Sequence, residues 1–80
     1  MIGVTEEEIL NFHNKIANNI KEIRKERNLT QLDLSIELGF KNSSFISHVE
    51  NIKKENYHYS IEHLYKLAKY FDLDICKFFK

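Results

Sequence analysis

Proline is missing from the 80 residues and glycine occurs only at Gly3 and Gly39, so the chain has few of the breakers that punctuate strands and long loops. An all-helical fold is the default expectation. The single cysteine, Cys76, excludes an internal disulfide. No apolar run approaches the roughly 18 residues of a membrane span. The amino terminus carries acids where a signal peptide would need a cationic start, and a cytoplasmic location is expected. Net charge is also absent, at +0, so long-range steering of a polyanion should be small. Neither HExxH nor CxxC occurs, and no catalytic carboxylate pair or nucleophile–base spacing stands out. The expectation is therefore a protein without cofactor, metal or enzymatic activity.

What is present is helical periodicity, charge asymmetry and a surplus of aromatics. Residues 1–14 hold three Glu and no Lys or Arg, residues 15–54 carry a basic surplus of three, and residues 55–80 balance. One domain over residues 1–80 is expected, small enough that folding buries only about 60% of the surface of its unfolded chain.

Thr5 with Glu8 three residues later spells a capping box at a helix start. Ile9, Phe12, Ile16, Ile20 and Ile23 then form one apolar stripe on a long first helix, about 5–27. Its early turns admit two readings, a dimer or partner contact, or packing on the chain's own core. Asn28-Leu29 closes this helix and Thr30 opens a second, about 31–38, in which Leu32, Leu34, Ile36 and Leu38 are candidates for burial and Ser35 is small where a helix must cross closely. Gly39 supplies a turn with positive φ. Asn42 is the expected N-cap of a third helix, about 43–51, with Phe45 or Ile46 together with Val49 facing inward. Its outer side chains, Ser43, Ser44, Ser47 and His48, are polar but almost uncharged, which suits a surface approached closely by a partner. After the polar and aromatic stretch 52–59, Ser60 caps a helix at about 61–71 and Asp74 a last short one at about 75–79. The expected fold class is an all-α, compact five-helix bundle containing a helix-turn-helix.

In that order, IKEIRKERNLTQLDLSIELGF, FISHVEN and SIEHLYKLAKYFDLDICKFF resemble the lambda Cro and phage-repressor type of helix-turn-helix protein, the XRE family, and are similar to restriction–modification controller proteins. The resemblance covers about Ile20 to Phe79 and implies a lambda repressor-like DNA-binding domain that binds operator DNA as a homodimer. It implies that Ser43, Ser44 and His48 reach base edges, with Asn42 and Ser47 beside them. Gln31, Asn51 and Lys53 match phosphate-contacting positions, with Lys41 and Lys54 as additions. Arg24 and Glu50 match an internal ion pair. Three departures stand out: an extra turn residue within Phe40-Lys41-Asn42, Ile52 where glycine is usual, and small reader side chains that discriminate bases less well than bidentate Arg, Asn or Gln.

Other readings stand beside these. His58 and His63, five apart, are read as surface and helix-face residues rather than metal ligands. Cys76 is expected as a small core residue rather than a nucleophile or redox sensor. Tyr57, Tyr59, Tyr65, Tyr70, Phe78 and Phe79 exceed what one small core holds, so Tyr57, Tyr59, Phe78 and Phe79 are candidates for a dimer interface; packing of all six within one monomer is the alternative. The expected function is sequence-specific binding of double-stranded DNA as a small homodimeric transcriptional regulator, a repressor or controller protein. A contact with RNA polymerase is left open. The alternative is a protein-interaction module such as an antitoxin, with DNA binding secondary.

Overall fold

A computed structural model describes residues 3–51, 53 and 56–80. Among them lie four α-helices, α1 Glu6–Glu26, α2 Gln31–Glu37, α3 Ser44–Glu50 and α4 Ile61–Phe71, then a 3-10 helix at Ile75–Phe79, and no strand. The fifth expected helix is thus a 3-10 helix. Five residues are too few to offset the nucleation of an α-helix, and the tighter i+3 pattern closes at once through the Lys77 N–H donating to the Asp74 carbonyl at 3.0 Å. Asp74 Oδ1 accepts the Cys76 N–H at 2.9 Å.

Helix starts follow the caps. Thr5 Oγ1 accepts the Glu8 N–H at 3.1 Å, one half of the expected box. At α2 the box is complete: Thr30 Oγ1 accepts the Asp33 N–H at 3.0 Å while Asp33 Oδ2 accepts the Thr30 N–H at 2.8 Å. The bond from the Thr30 N–H to its ionised form is the chief cause holding the Asp33 carboxyl below its ordinary pKa. Asp74 is lowered likewise, chiefly by its bond from Cys76.

Three helices end alike. Asn28 (φ 58°), Gly39 (φ 92°) and Asp72 (φ 56°) adopt positive φ. The following residue then donates to the carbonyl five positions back: Leu29 to Arg24 at 3.0 Å, Phe40 to Ser35 at 2.8 Å, Leu73 to Ala68 at 2.9 Å. This is the Schellman pattern, which satisfies orphan carbonyls and turns the next side chain inward. Leu29, Phe40 and Leu73 indeed pack against the core. Only Gly39 avoids the steric penalty on a left-handed residue; Asn28 is the side chain that best tolerates it.

The core gathers Ile16 and Ile20 of α1, Leu34 and Leu38 from α2 and its end, Ile46 and Val49 of α3, Leu64, Leu67 and Phe71 of α4, and Phe78. Phe71 and Phe78 meet edge to face at 6.3 Å. Arg27 links the ends of α1 and α4, its Nη1 donating to the Phe71 carbonyl at 2.6 Å with the guanidinium carbon 5.2 Å from the Phe71 ring centre. Asn19 Nδ2 donates to the Phe78 carbonyl at 2.9 Å, fixing the 3-10 helix on α1.

Leu32 and Ile36 of α2, expected inside, are exposed, as are Ile9 and Phe12 of α1 and Ile61 and Tyr65 of α4. A seven-residue α2 has one inward face, taken by Leu34 and Ser35, and Leu32 and Ile36 turn away from it. On α1 burial begins only at Ile16; the bundle does not extend under the first two turns. Cys76 is exposed rather than core. The bond and negative charge of Asp74 push its thiol pKa up, opposite to what a reactive thiolate needs.

Candidate nucleic-acid interface

The candidate interface is built on α2, the turn through Gly39, and α3. Ile46 and Val49 bury α3 on the core. Phe45, half-buried, stacks on Phe40 at 4.7 Å between ring centres and meets Tyr59 and His63 edge-on. Both inward alternatives at 45 and 46 are therefore used. Ser44, Ser47 and His48, spaced i, i+3 and i+4, are left on the opposite side: the two serines are exposed and His48 is half-buried.

The helix start differs from expectation by one residue. Ser43 occupies the N-cap position and makes no side-chain cap bond. Asn42 instead accepts the Ser44 N–H through Oδ1 at 2.9 Å, a side-chain turn that substitutes for a cap. Half of the Asn42 amide is thereby committed to local structure.

What locks α3 is a buried polar knot. Glu50 Oε2 accepts Arg24 Nε at 2.9 Å and Oε1 accepts Arg24 Nη2 at 2.9 Å, a bidentate pair with side-chain exposures of 10% and 3%. Arg24 Nη1 donates to the Leu29 carbonyl at 2.8 Å, and Gln31 Nε2 donates to Glu50 Oε1 at 2.9 Å. Arg24 and Glu50 together thus join α1, the α1–α2 turn, the first residue of α2 and the last of α3. Gln31, expected on phosphate, has its side chain drawn into this knot at the N-terminus of α2. Below it, Tyr59 is buried, and its hydroxyl has no partner among the described residues. Burial, with Glu50 nearby, pushes its pKa far above the ordinary 10 of a tyrosine.

The basic candidates flank α3. Lys41, in the turn before it, and Asn51 and Lys53, after it, are exposed. Asn51 Oδ1 accepts the Lys53 N–H at 3.0 Å. Lys54 lies outside the described residues.

Of the four interface candidates, Tyr59 and Phe78 are core residues of the single chain, at 7% and 0% exposure, so neither is free to meet a partner. Each is covered by its own helices, which a count of aromatics does not reveal. Tyr57 and Phe79 are exposed, but on different neighbours. Tyr57 lies against His48 at 4.5 Å between ring centres, beside α3, while Phe79 stacks on Phe12 of α1 at 6.0 Å.

Three of the histidines have local roles. His63 Nδ1 accepts the Ser60 N–H at 3.0 Å and its own N–H returns to Ser60 Oγ at 3.1 Å, a capping box in which an imidazole replaces the usual Glu or Gln. Desolvation is the chief cause lowering its pKa. His13 and His58 stack at 3.8 Å, and burial followed by the charge of His58 lowers the pKa of His13.

No curated protein and no solved structure matches the chain. A family model described as a helix-turn-helix domain matches residues 17–80, a span that holds α2, the Gly39 turn and α3 together with α4 and the 3-10 helix. The two short helices, their glycine turn and the polar outer side of the second are accounted for together: the chain belongs to the helix-turn-helix domain family.

Proposed function

We propose that this protein is a small transcriptional regulator that binds double-stranded DNA sequence-specifically as a homodimer, with α3 in the major groove. The observation that carries the reading is the contrast across α3. Its inner side is held by Ile46, Val49 and the bidentate Arg24–Glu50 pair, and its outer side offers only small or neutral hydrogen-bonding groups, Ser44, Ser47 and His48. A rigid helix with a close-approach face is what base-edge readout needs. Ser43 and the free half of the Asn42 amide extend that face, and Lys41, Asn51, Lys53 and Lys54 supply phosphate contacts at its two ends. Gln31, the first residue of α2, steadies Glu50 through its side chain. Serine discriminates bases weakly, so ordered water and DNA shape contribute to specificity.

The exposed Ile9 and Phe12 favour a second reading, a protein-interaction module of the antitoxin kind with DNA binding secondary. Selection of duplexes from a random pool, followed by a salt titration, separates the two. The regulator binds a selected duplex at roughly 10⁻⁸ M or tighter, with affinity falling steeply as salt rises. Failure to enrich any duplex, or a flat salt response, refutes it.

A further inference from the structure

The first two turns of α1 are a helix without a cover among the described residues. The molecule measures 43 × 25 × 21 Å, and α1, at 21 residues, is about 31 Å long. No residue of α1 before Ile16 is buried. The segment is nonetheless well defined, capped by Thr5 and acidic in its first turn at Glu6, Glu7 and Glu8. It continues the stripe that further along becomes core, so Ile9 and Phe12 lie on the side of α1 that carries Ile16 and Ile20. Ile9 is 48% and Phe12 50% exposed. Their flanking walls are Phe79, stacked on Phe12, and His58, stacked on His13. An open groove lined by Ile9, Leu10, His13 and His58 runs along the inner side of this overhang. A helix turn of this kind draws its stability from burying its apolar stripe.

We infer that the start of α1, with Phe79, is the surface through which two copies of this chain associate, their α1 helices antiparallel about a two-fold axis near Phe12. This rests on the homodimer reading and gives it a location. Charge selects the second copy as occupant. Glu8 and Lys15 are both exposed and stand seven positions apart on one side of the helix, flanking Phe12. In an antiparallel pair centred between them, each Glu8 faces the partner's Lys15, so the rim of the apolar patch is self-complementary, as a two-fold interface requires. A parallel pair would set Glu8 on Glu8. The overhang is also compatible with DNA binding, because α1 meets α3 further along, around Ala17 and Lys21 beside Val49 and Glu50. Covering residues 4–13 leaves the outer face of α3 open.

The 80-residue chain tests this without DNA, so its failure is distinct from a failure of the DNA reading. Sedimentation at tens of micromolar should show a dimer. Phe12→Ser, Glu8→Lys and Lys15→Glu should each weaken association at least tenfold, with unchanged circular dichroism showing that the fold persists. The decisive step mixes the two charge variants. Glu8→Lys carries a positive charge at both rim positions and Lys15→Glu a negative charge at both, so opposite charges face each other again across the mixed pair. The mixture should sediment as a heterodimer although each variant alone does not. A monomeric parent chain at that concentration overturns the inference. So does a dimer indifferent to all three substitutions, or a mixture that fails to pair.

Discussion

Removing one half of the Arg24–Glu50 pair should be far more damaging than removing both. Arg24→Met leaves the Glu50 carboxylate, 3% exposed, with Gln31 as its one remaining donor among the described residues, and strips the Leu29 carbonyl of its bond from Arg24. Glu50→Met leaves a guanidinium that is 10% exposed with one carbonyl in place of a counter-charge. Each single change should cost about 3–5 kcal/mol, the penalty of an uncompensated buried charge. That is a large share of the roughly 4–12 kcal/mol available to an 80-residue domain. In Arg24→Met/Glu50→Met no charge is stranded, Gln31 can turn to water, and the orphaned Leu29 carbonyl dominates at about 1–3 kcal/mol. Urea unfolding followed by circular dichroism measures all four proteins, with equal m-values confirming a shared unfolded state. The double variant should be more stable than either single one. Additive losses, or single losses below about 1 kcal/mol, would refute the picture of a desolvated pair.

Four further outcomes follow from particular contacts. Tyr59→Phe removes a buried hydroxyl that has no partner among the described residues, so stability should hold or rise by about 1 kcal/mol; a loss beyond that in the same urea assay would mean the hydroxyl is bonded. Gly39→Ala meets no atom within 4 Å but must hold φ at +92°, and should cost about 1–2 kcal/mol from backbone strain alone, read as a drop in melting temperature; an unchanged melt would show that the turn relaxes. His63 and His13 have folded-state pKa values below their ordinary 6.5, so the neutral rings are favoured by the fold. Their contribution is complete above pH 6.5 and is lost as pH falls from there through the lowered values. Melting temperature should decline in that window, and less so in His63→Gln, since glutamine can still close the capping box. In the DNA assay, His48→Ala should flatten sequence preference while Lys53→Ala weakens all duplexes alike and reduces the salt slope by about one; identical behaviour of the two would contradict the groove assignment.

Helix identity is legible in the sequence because caps and periodicity are local. Thr30 with Asp33, the apolar run of α4 behind Ser60, and Gly39 after α2 each carry their structural instruction within a few residues. Periodicity marks which face of a helix is apolar, however, and not whether anything lies over it. Ile16 and Ile9 belong to one stripe, yet one is core and the other exposed, because coverage depends on where α3 and the 3-10 helix come to rest. Tyr59 and Phe78 show the reverse: residues read as surplus find a place inside, on neighbours distant in the chain. The His63 cap is hard to see beforehand because imidazole is an uncommon N3 partner. The role of Gln31 in steadying Glu50 depends on α2 and α3 crossing where they do, 19 residues apart in sequence.

The knot that fixes α3 draws nothing from the helix's outer side. Arg24, Leu29, Gln31 and Glu50 hold the frame, and the positions that would touch bases contribute only a terminal turn and an aromatic contact. Exchanges at Ser44 and Ser47 should therefore stay within roughly 0.5 kcal/mol of the parent stability. Such a protein can be re-lettered: a library confined to those serines would change what is read while the mount that presents it stays folded, and new specificities would be reachable by steps that never pass through an unstable intermediate.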